Sequence, residues 1–365
     1  MTELITNSSP MQLGSLKTQR IMLLVIAALL PGISVASWFF GWGFLINVLL
    51  AAIFAIGLEA FALGIQKKPI KAGLSDNSAL VTALLFGISI PPGSSWWLVF
   101  LGIAFAILIA KHAYGGLGQN PFNPAMSGYL FLLISFPLDM TSWQIPVNYP
   151  DATPLGWEGL QQSLLVVFPF LFSSTESMQA TVDGMTMATP LIVSKMAGTN
   201  AILEAQQAGL NIFARTAETG WELMNIAYLC GGLALLALGI ISWHIPVSII
   251  LTLAIVSGLF YSPHSSAVYG TPYLHLFGSA TMVGAFFIAT DPVSAATTNK
   301  SKILYGIIIG LGIYAVRVWG SYLDSIAIAV LFGNFCAPLL DHYCRPRIYG
   351  HPKQGLVSWL LGNRS

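Results

Sequence analysis

A chain of 365 residues that is 55% apolar and only 8% charged carries about a third of the charge of an ordinary soluble domain. With a mean hydropathy of +0.75, that composition excludes a soluble globular fold and predicts an all-α polytopic membrane protein. A net charge of +1 supplies no basic face for nucleic acid.

In chain order, polar residues lead to Lys17 and Arg20, and the apolar run from Ile21 has no small-residue cleavage pattern after it, so it reads as an uncleaved first helix. Apolar runs bounded by turn signals predict ten spans: 20–38, 43–65, 77–91, 95–113 and 124–137, then 223–242, 245–261, 273–290, 302–319 and 323–339. Backbone in lipid must satisfy its own hydrogen bonds, so runs of this length form helices. The expected organisation is a first five-helix repeat (1–137), a long loop (138–222), a second five-helix repeat (223–340) and a tail (341–365).

Orientation follows the basic residues. With the N-terminus inside, the inner side carries Lys17, Arg20, Lys67, Lys68, Lys71, Lys111, Lys300, Lys302, Arg345, Arg347, Lys353 and Arg364, and the outer side only Lys195, Arg215 and Arg317. Twelve against three of the 15 basic residues predicts that both termini are cytoplasmic and that loop 138–222, whose charge is mainly acidic, lies outside. Trp38, Trp42, Trp243 and Trp319 fall near predicted boundaries, as an aromatic belt would.

Two segments 200 residues apart are alike: Phe86 to Ser94 closes the third span and Phe286 to Ser294 the eighth, with Phe, Pro and Ser coinciding at 86/286, 92/292 and 94/294. Five spans is an odd number, so the second half enters the bilayer upside down relative to the first, the inverted repeat of many transporters. Paired spans stopped by proline point to a binding site at the repeat interface, although proline also simply ends helices.

Three constellations carry candidate chemistry. The first is Asp183-Gly184-Met185-Thr186-Met187-Ala188-Thr189, a polar segment in the only long hydrophilic interval. A hydroxyl that is to be esterified needs a flexible, exposed backbone, which Gly184 and its small neighbours suit. An ordinary loop leading to an amphipathic surface helix near Pro190 is the alternative. The second is Tyr114 to Pro124, which contains Asn120-Pro121 and Asn123-Pro124. It lacks G-x-G-x-x-G spacing and a preceding strand, so it is no dinucleotide fingerprint. Asn123 suits an N-cap with Pro124 at the first helical position, and both amides can donate to and accept from an isoalloxazine or quinone edge.

The third constellation is the intramembrane acids. Glu59 lies well inside the second span, where an ionisable group costs about 2.5–3.5 kcal/mol on insertion scales and marks an ion or proton role. Asp291, at the broken end of span eight, either caps the following segment or faces an ion path, and Asp324 reads as solvated at the outer mouth of span ten. The six histidines are scattered, mostly at span ends. Cys230, Cys336 and Cys344 have no metal-ligand spacing, so no zinc or iron–sulfur site is expected from this chain alone.

Taken together, Gly115 to Ala125, Thr290 to Ala295 and Asp183 to Thr189 resemble the NqrB/RnfD family, over nearly the whole chain and in the same order. The first span starts near residue 20, without the longer N-terminal extension of NqrB, so the resemblance is to the RnfD branch. The resemblance implies an electron-transfer subunit of an ion-translocating oxidoreductase in the bacterial inner membrane. It implies FMN joined by a phosphoester to Thr189 on the periplasmic side, with Asp183, Thr186 and Ala188 in the attachment motif. It implies riboflavin at Asn120 and Asn123 on the cytoplasmic side, and ion uptake at Glu59. Implied partners are a flavin transferase, iron–sulfur subunits, a subunit that binds NADH or ferredoxin, and a second flavinylated subunit. The family's S-G-A-T acceptor reads Thr186-Met187-Ala188-Thr189 here, so Met replaces Gly. The rival readings are a secondary transporter or channel without a redox cofactor, and a scaffold subunit whose flavin motif has decayed.

Overall fold

The computed structural model describes residues 18–144, 156–169, 220–261, 271–320 and 325–344, together with the backbone of 186–187. The N-terminal 17 residues, most of the interval 138–222 and the tail beyond 344 lie outside them, and so do Asp183, Ala188, Thr189 and Asp324.

The first two predicted spans form α1 (Thr18–Ile65), two helices that meet at a kink at Gly41, whose non-helical φ of 70° glycine adopts without strain. Short α2 (Ile70–Leu74) follows, then α3 (Ser78–Gly87), which is shorter than its predicted run. Helix α4 (Trp96–Ala104) continues as a π-helix over Phe105–His112. Helix α5 (Pro124–Ser135) starts where the sequence predicts: Asn123 is its N-cap, accepting from the Met126 N–H, and Pro124 occupies the first turn. Helix α6 (Pro137–Thr141) and strand β1 (Trp143–Gln144) close this half.

Within the interval read as a loop, α7 (Trp157–Val167) packs against α1, and strand β2 (Thr186–Met187) pairs antiparallel with β1, Trp143 opposite Met187 and Gln144 opposite Thr186. The second half contains α8 (Trp221–Ala237), α9 (His244–Phe260), α10 (Pro272–Phe277), α11 (Thr281–Val283) with a π-turn over Gly284–Ile288, α12 (Asn299–Trp319) and α13 (Ser325–Tyr343). The predicted eighth span is thus two pieces, broken at 278–280. Among the described residues three helices (α1, α12 and α13) are long and apolar enough to cross a membrane whole, and shorter apolar helices accompany them. The architecture is that of a helical, polytopic membrane protein.

One apolar core runs through both halves, with α1 packed on α3 and α8 and with α5 packed on α13. Water gives no driving force between helices in lipid, so close backbone approach matters. A Cβ on Gly128 of α5 would stand 2.4 Å from the Gly102 carbonyl of α4, and one on Gly306 of α12 would stand 2.9 Å from the Ile245 carbonyl of α9.

Candidate functional site

Glu59 is 3% exposed on the last turns of α1, a position an unpartnered carboxylate could not hold. Its Oε1 accepts from the Lys111 ammonium at 2.7 Å, and its Oε2 stands 2.9 Å from His112 Nε2. Lys111 and His112 are neighbours on the π-helix of α4, whose widened turn brings both to the same carboxylate. Gln66 Nε2 lies 3.2 Å from His112 Nδ1. Lys111 also donates to Ser78 Oγ at 2.9 Å, and Ser78 Oγ donates to Asp76 at 2.6 Å. A polar chain therefore runs from half-buried Asp76 through Ser78 and Lys111 to buried Glu59 and His112.

Lys111 and Ser78 also border a cavity of about 160 Å³, the inner cavity. Asn120, Asn123, Thr290 and Asp291 line it among apolar side chains such as Phe286 and Leu235. The two asparagines differ. Asn123 is committed to the fold, its Oδ1 capping α5 and its Nδ2 donating to the Ile288 carbonyl at 3.2 Å. Asn120 is 4% exposed, its Nδ2 donates to the Phe122 carbonyl, and its Oδ1 is buried without a partner. Such an oxygen suits a ligand N–H. The volume is close to that of a cavity that holds one benzene ring (~150 Å³), so the three rings of an isoalloxazine enter only if the walls part.

Asp291 accepts from Ser294 Oγ at 2.6 Å, so it caps the turn after the π-helix and also lines the inner cavity. The matching break after α3 is built alike, with Ser94 Oγ donating to the Pro91 carbonyl at 2.7 Å and Asn47 Nδ2 donating to the same oxygen at 2.8 Å. That break, through Ile88 and Ser89, borders a second, outer cavity of about 70 Å³, lined also by Trp143, Trp221, Tyr228 and the 278–280 break. The two cavities share a partition: Asn123 lines one and Ile288 the other, while Met126, one turn along α5, faces the outer one.

The strand pair sets the Thr186–Met187 backbone beside Trp143, which lines the outer cavity. Thr186 and Met187 lie against Gln144 and Trp143, and Trp143 packs edge-on to Phe40 and 4.9 Å from Trp221 between ring centroids. Asp183, Ala188 and Thr189 lie outside the described residues.

A second buried cation holds the other break. Arg317 on α12 donates through Nη2 to Thr281 Oγ1 at 2.9 Å, through Nε to Ser325 Oγ at 3.0 Å, and through Nη1 to the His275 carbonyl. Lys111 holds the first residue of α3 and Arg317 the first residue of α11.

The structure thus joins Glu59 to the inner-cavity group through Lys111. Sequence reasoning missed this: Lys111 counted only as an inner-side surface charge, and His112 and His275 only as interfacial, yet all three are at most 7% exposed. The signal was available, since Lys111 lies inside the apolar run 95–113, where a charge marks a site as Glu59 does.

The chain matches the model of the NQR2, RnfD, RnfE family over residues 5–350. It is 49% identical over 361 residues to the D subunit of the ion-translocating oxidoreductase complex of Aliivibrio salmonicida, covering 95% of this chain and 98% of that protein. Proteins of the same name from Escherichia fergusonii (46% over 352 residues) and Erwinia tasmaniensis (48% over 351 residues) are covered equally, at 95% and 98%. With a family model and relatives that span nearly its whole length, this chain belongs to the NQR2, RnfD, RnfE family.

Proposed function

We propose that this protein is the membrane subunit of an ion-translocating oxidoreductase complex of the bacterial inner membrane, with FMN held covalently on Thr189. The observation that carries the reading is the D-x-x-T-x-A-T segment, whose Thr186–Met187 backbone is paired to Trp143–Gln144 at the wall of the outer cavity. Extended pairing at Met187 accommodates methionine where the S-G-A-T pattern has glycine. Both termini are cytoplasmic in this reading and the 138–222 interval is periplasmic. Partners are the iron–sulfur, NADH- or ferredoxin-binding and second flavinylated subunits, and a flavin transferase matures the chain.

A flavin supplies one- and two-electron transfer. The inner cavity takes riboflavin in this reading, with Asn120 Oδ1 accepting from the ring and the cavity walls parting to admit it. Asn123 keeps the start of α5 and the end of the 284–288 turn in register. Glu59 binds the translocated cation, reached from Asp76 and Ser78. Each electron falling through 100 mV releases about 2.3 kcal/mol, the cost of moving one unit charge against 100 mV, so redox steps of ordinary size drive the transport.

The paired breaks favour a second reading, a transporter or channel with an inverted five-plus-five repeat and no redox role. In-gel flavin fluorescence after denaturing electrophoresis decides between them, with wild type and Thr189→Val each co-expressed with a flavin transferase. The redox reading expects a glowing wild-type band that goes dark in the variant. A dark wild-type band, from a host that flavinylates another target, rejects it.

A further inference from the structure

The Glu59–Lys111 pair raises a problem for a cation pathway. The carboxylate already has a cation, 2.7 Å away and 2% exposed. Adding a second cation would leave a net positive charge among apolar residues, which the membrane interior opposes. Expelling the ammonium into an apolar wall would be worse, since a buried charge needs a partner. Lys111, however, borders two sets of acceptors. On one side are Glu59 and Ser78; on the other is the inner cavity, which it lines together with Asp291 and with Asn120, whose Oδ1 is buried and has no partner. Lysine suits such a post, as a point charge on a flexible four-carbon stem. His112 Nε2 stands 2.9 Å from Glu59 Oε2, the carboxylate oxygen that Lys111 does not use.

We propose that Lys111 is the resident cation of the ion site, and that a translocated monovalent cation binds Glu59 by displacing the Lys111 ammonium into the inner cavity. The exchange conserves charge at the carboxylate: one ammonium leaves as one cation arrives. The displaced ammonium then sits in the cavity lined by Asp291 and Asn120, where the Asp291 carboxylate is the counter-charge available to it. Lys111 is a positioning residue in this scheme, since it sets the affinity of Glu59 for the cation and transmits the charge of the cavity to it. The inference rests on the reading of Glu59 as an ion-binding group, and it names the residue that regulates that site.

The test uses the full chain in the assembled complex and follows its thermal unfolding midpoint, because a ligand that binds the folded state raises that midpoint with concentration. Sodium chloride is titrated against choline chloride at fixed pH, and pH is varied separately in choline buffer without sodium, so that a sodium site and a proton site give different responses. Lys111→Gln is expected to lower the half-stabilising concentration of one of these cations by at least about tenfold, equivalent to about 1.4 kcal/mol of binding. Glu59→Gln combined with Lys111→Gln is expected to remove the response. The same half-point in wild type and Lys111→Gln, a response that survives the double substitution, or no response to either cation in any form overturns the proposal.

If Lys111→Gln does not fold, Lys111→Arg takes its place, and its fixed fork should hold the carboxylate tighter and raise the half-point. An unchanged half-point there overturns the proposal too. In-gel flavin fluorescence of the same samples is an independent readout. Cation shifts without a fluorescent band reject the flavin and leave Lys111 in its role, and a band without shifts rejects the role of Lys111 alone.

Discussion

Asn123 donates its side-chain amide to the carbonyl of Ile288 at 3.2 Å, across 165 residues of chain. The bond joins the first turn of a helix in one half to the last turn of the π-helical segment in the other. It also forms part of the partition between the inner and outer cavities, since each residue lines a different one. Its Oδ1 meanwhile caps α5, so one amide starts a helix, satisfies the end of a second and divides the protein's two internal spaces.

Replacing that amide separates the roles. Asn123→Ser keeps a capping oxygen and loses the donor, leaving the Ile288 carbonyl only the long bond from the Asp291 N–H at 3.4 Å, at a cost of about 0.5–1.5 kcal/mol. Asn123→Ala loses the cap as well, for about 1 kcal/mol more. The unfolding midpoint in detergent should fall in the order wild type, Ser, Ala. Equal midpoints for wild type and Asn123→Ser would mean that the bond to Ile288 contributes nothing.

At Glu59, removing charge and removing the side chain should have different effects. Glu59→Ala leaves Lys111 buried without its carboxylate, which costs about 3–5 kcal/mol, so poor accumulation of the folded chain is expected. Glu59→Gln also removes the counter-charge but keeps the shape and one acceptor for Lys111, so it should cost less stability than alanine. It should fold while electron transfer by the complex loses its coupling to ion movement. Electron flow and ion uptake measured together in proteoliposomes check this, and normal coupling in Glu59→Gln would remove Glu59 from the pathway.

How legible the site was depended on the range of each interaction. The Asn123 cap needed only its own sequence, Asn-Pro-Ala-Met before an apolar run, and the helix starts there. Glu59 was legible because a carboxylate inside an apolar run is conspicuous. Its partners were not, since Lys111 lies 52 residues away and reaches it from a π-helix that no apolar periodicity announces. The kink at Gly41 was legible: the boundary between the two predicted spans falls on the glycine whose non-helical backbone separates the two helices of α1. The break at 278–280 sits within a run read as continuous. It is held by Asn225, which accepts from the Met282 N–H and donates to the Phe277 carbonyl. Asn225 is polar in an apolar span, but its partners are 57 and 52 residues away.

The α4–α5 crossing gives a packing prediction. A Cβ on Gly128 would lie 2.4 Å from the Gly102 carbonyl and 3.0 Å from the Ala106 side chain. The first obstacle is backbone and cannot rotate away. Gly128→Val should force the helices apart and cost about 1–3 kcal/mol, as overpacking does. Because α5 carries Asn123, the same variant should weaken the partition. Gly118→Ala tests a different cost, since Gly118 has open space around it but a φ of +90°, so it should lose stability through backbone strain alone. Unfolding midpoints of the two variants in detergent check both costs.

Arg317 separates charge from geometry at the 278–280 break. Its guanidinium spans three acceptors on three elements: the His275 carbonyl, Thr281 Oγ1 and Ser325 Oγ. Lysine keeps the positive charge and so leaves the topogenic bias of the chain alone, but a single ammonium on a flexible stem cannot reproduce a planar fork. Arg317→Lys should therefore insert with the same orientation and lose at least one buried bond, at about 1–3 kcal/mol for each acceptor left unsatisfied. The loss should loosen the α10–α11 break that borders the outer cavity. A lowered unfolding midpoint with an unchanged pattern of protease-accessible loops is the expected result. A changed orientation would mean that Arg317 acts through its reach rather than its charge during insertion. An unchanged midpoint would mean that its three bonds stabilise nothing that water could not replace.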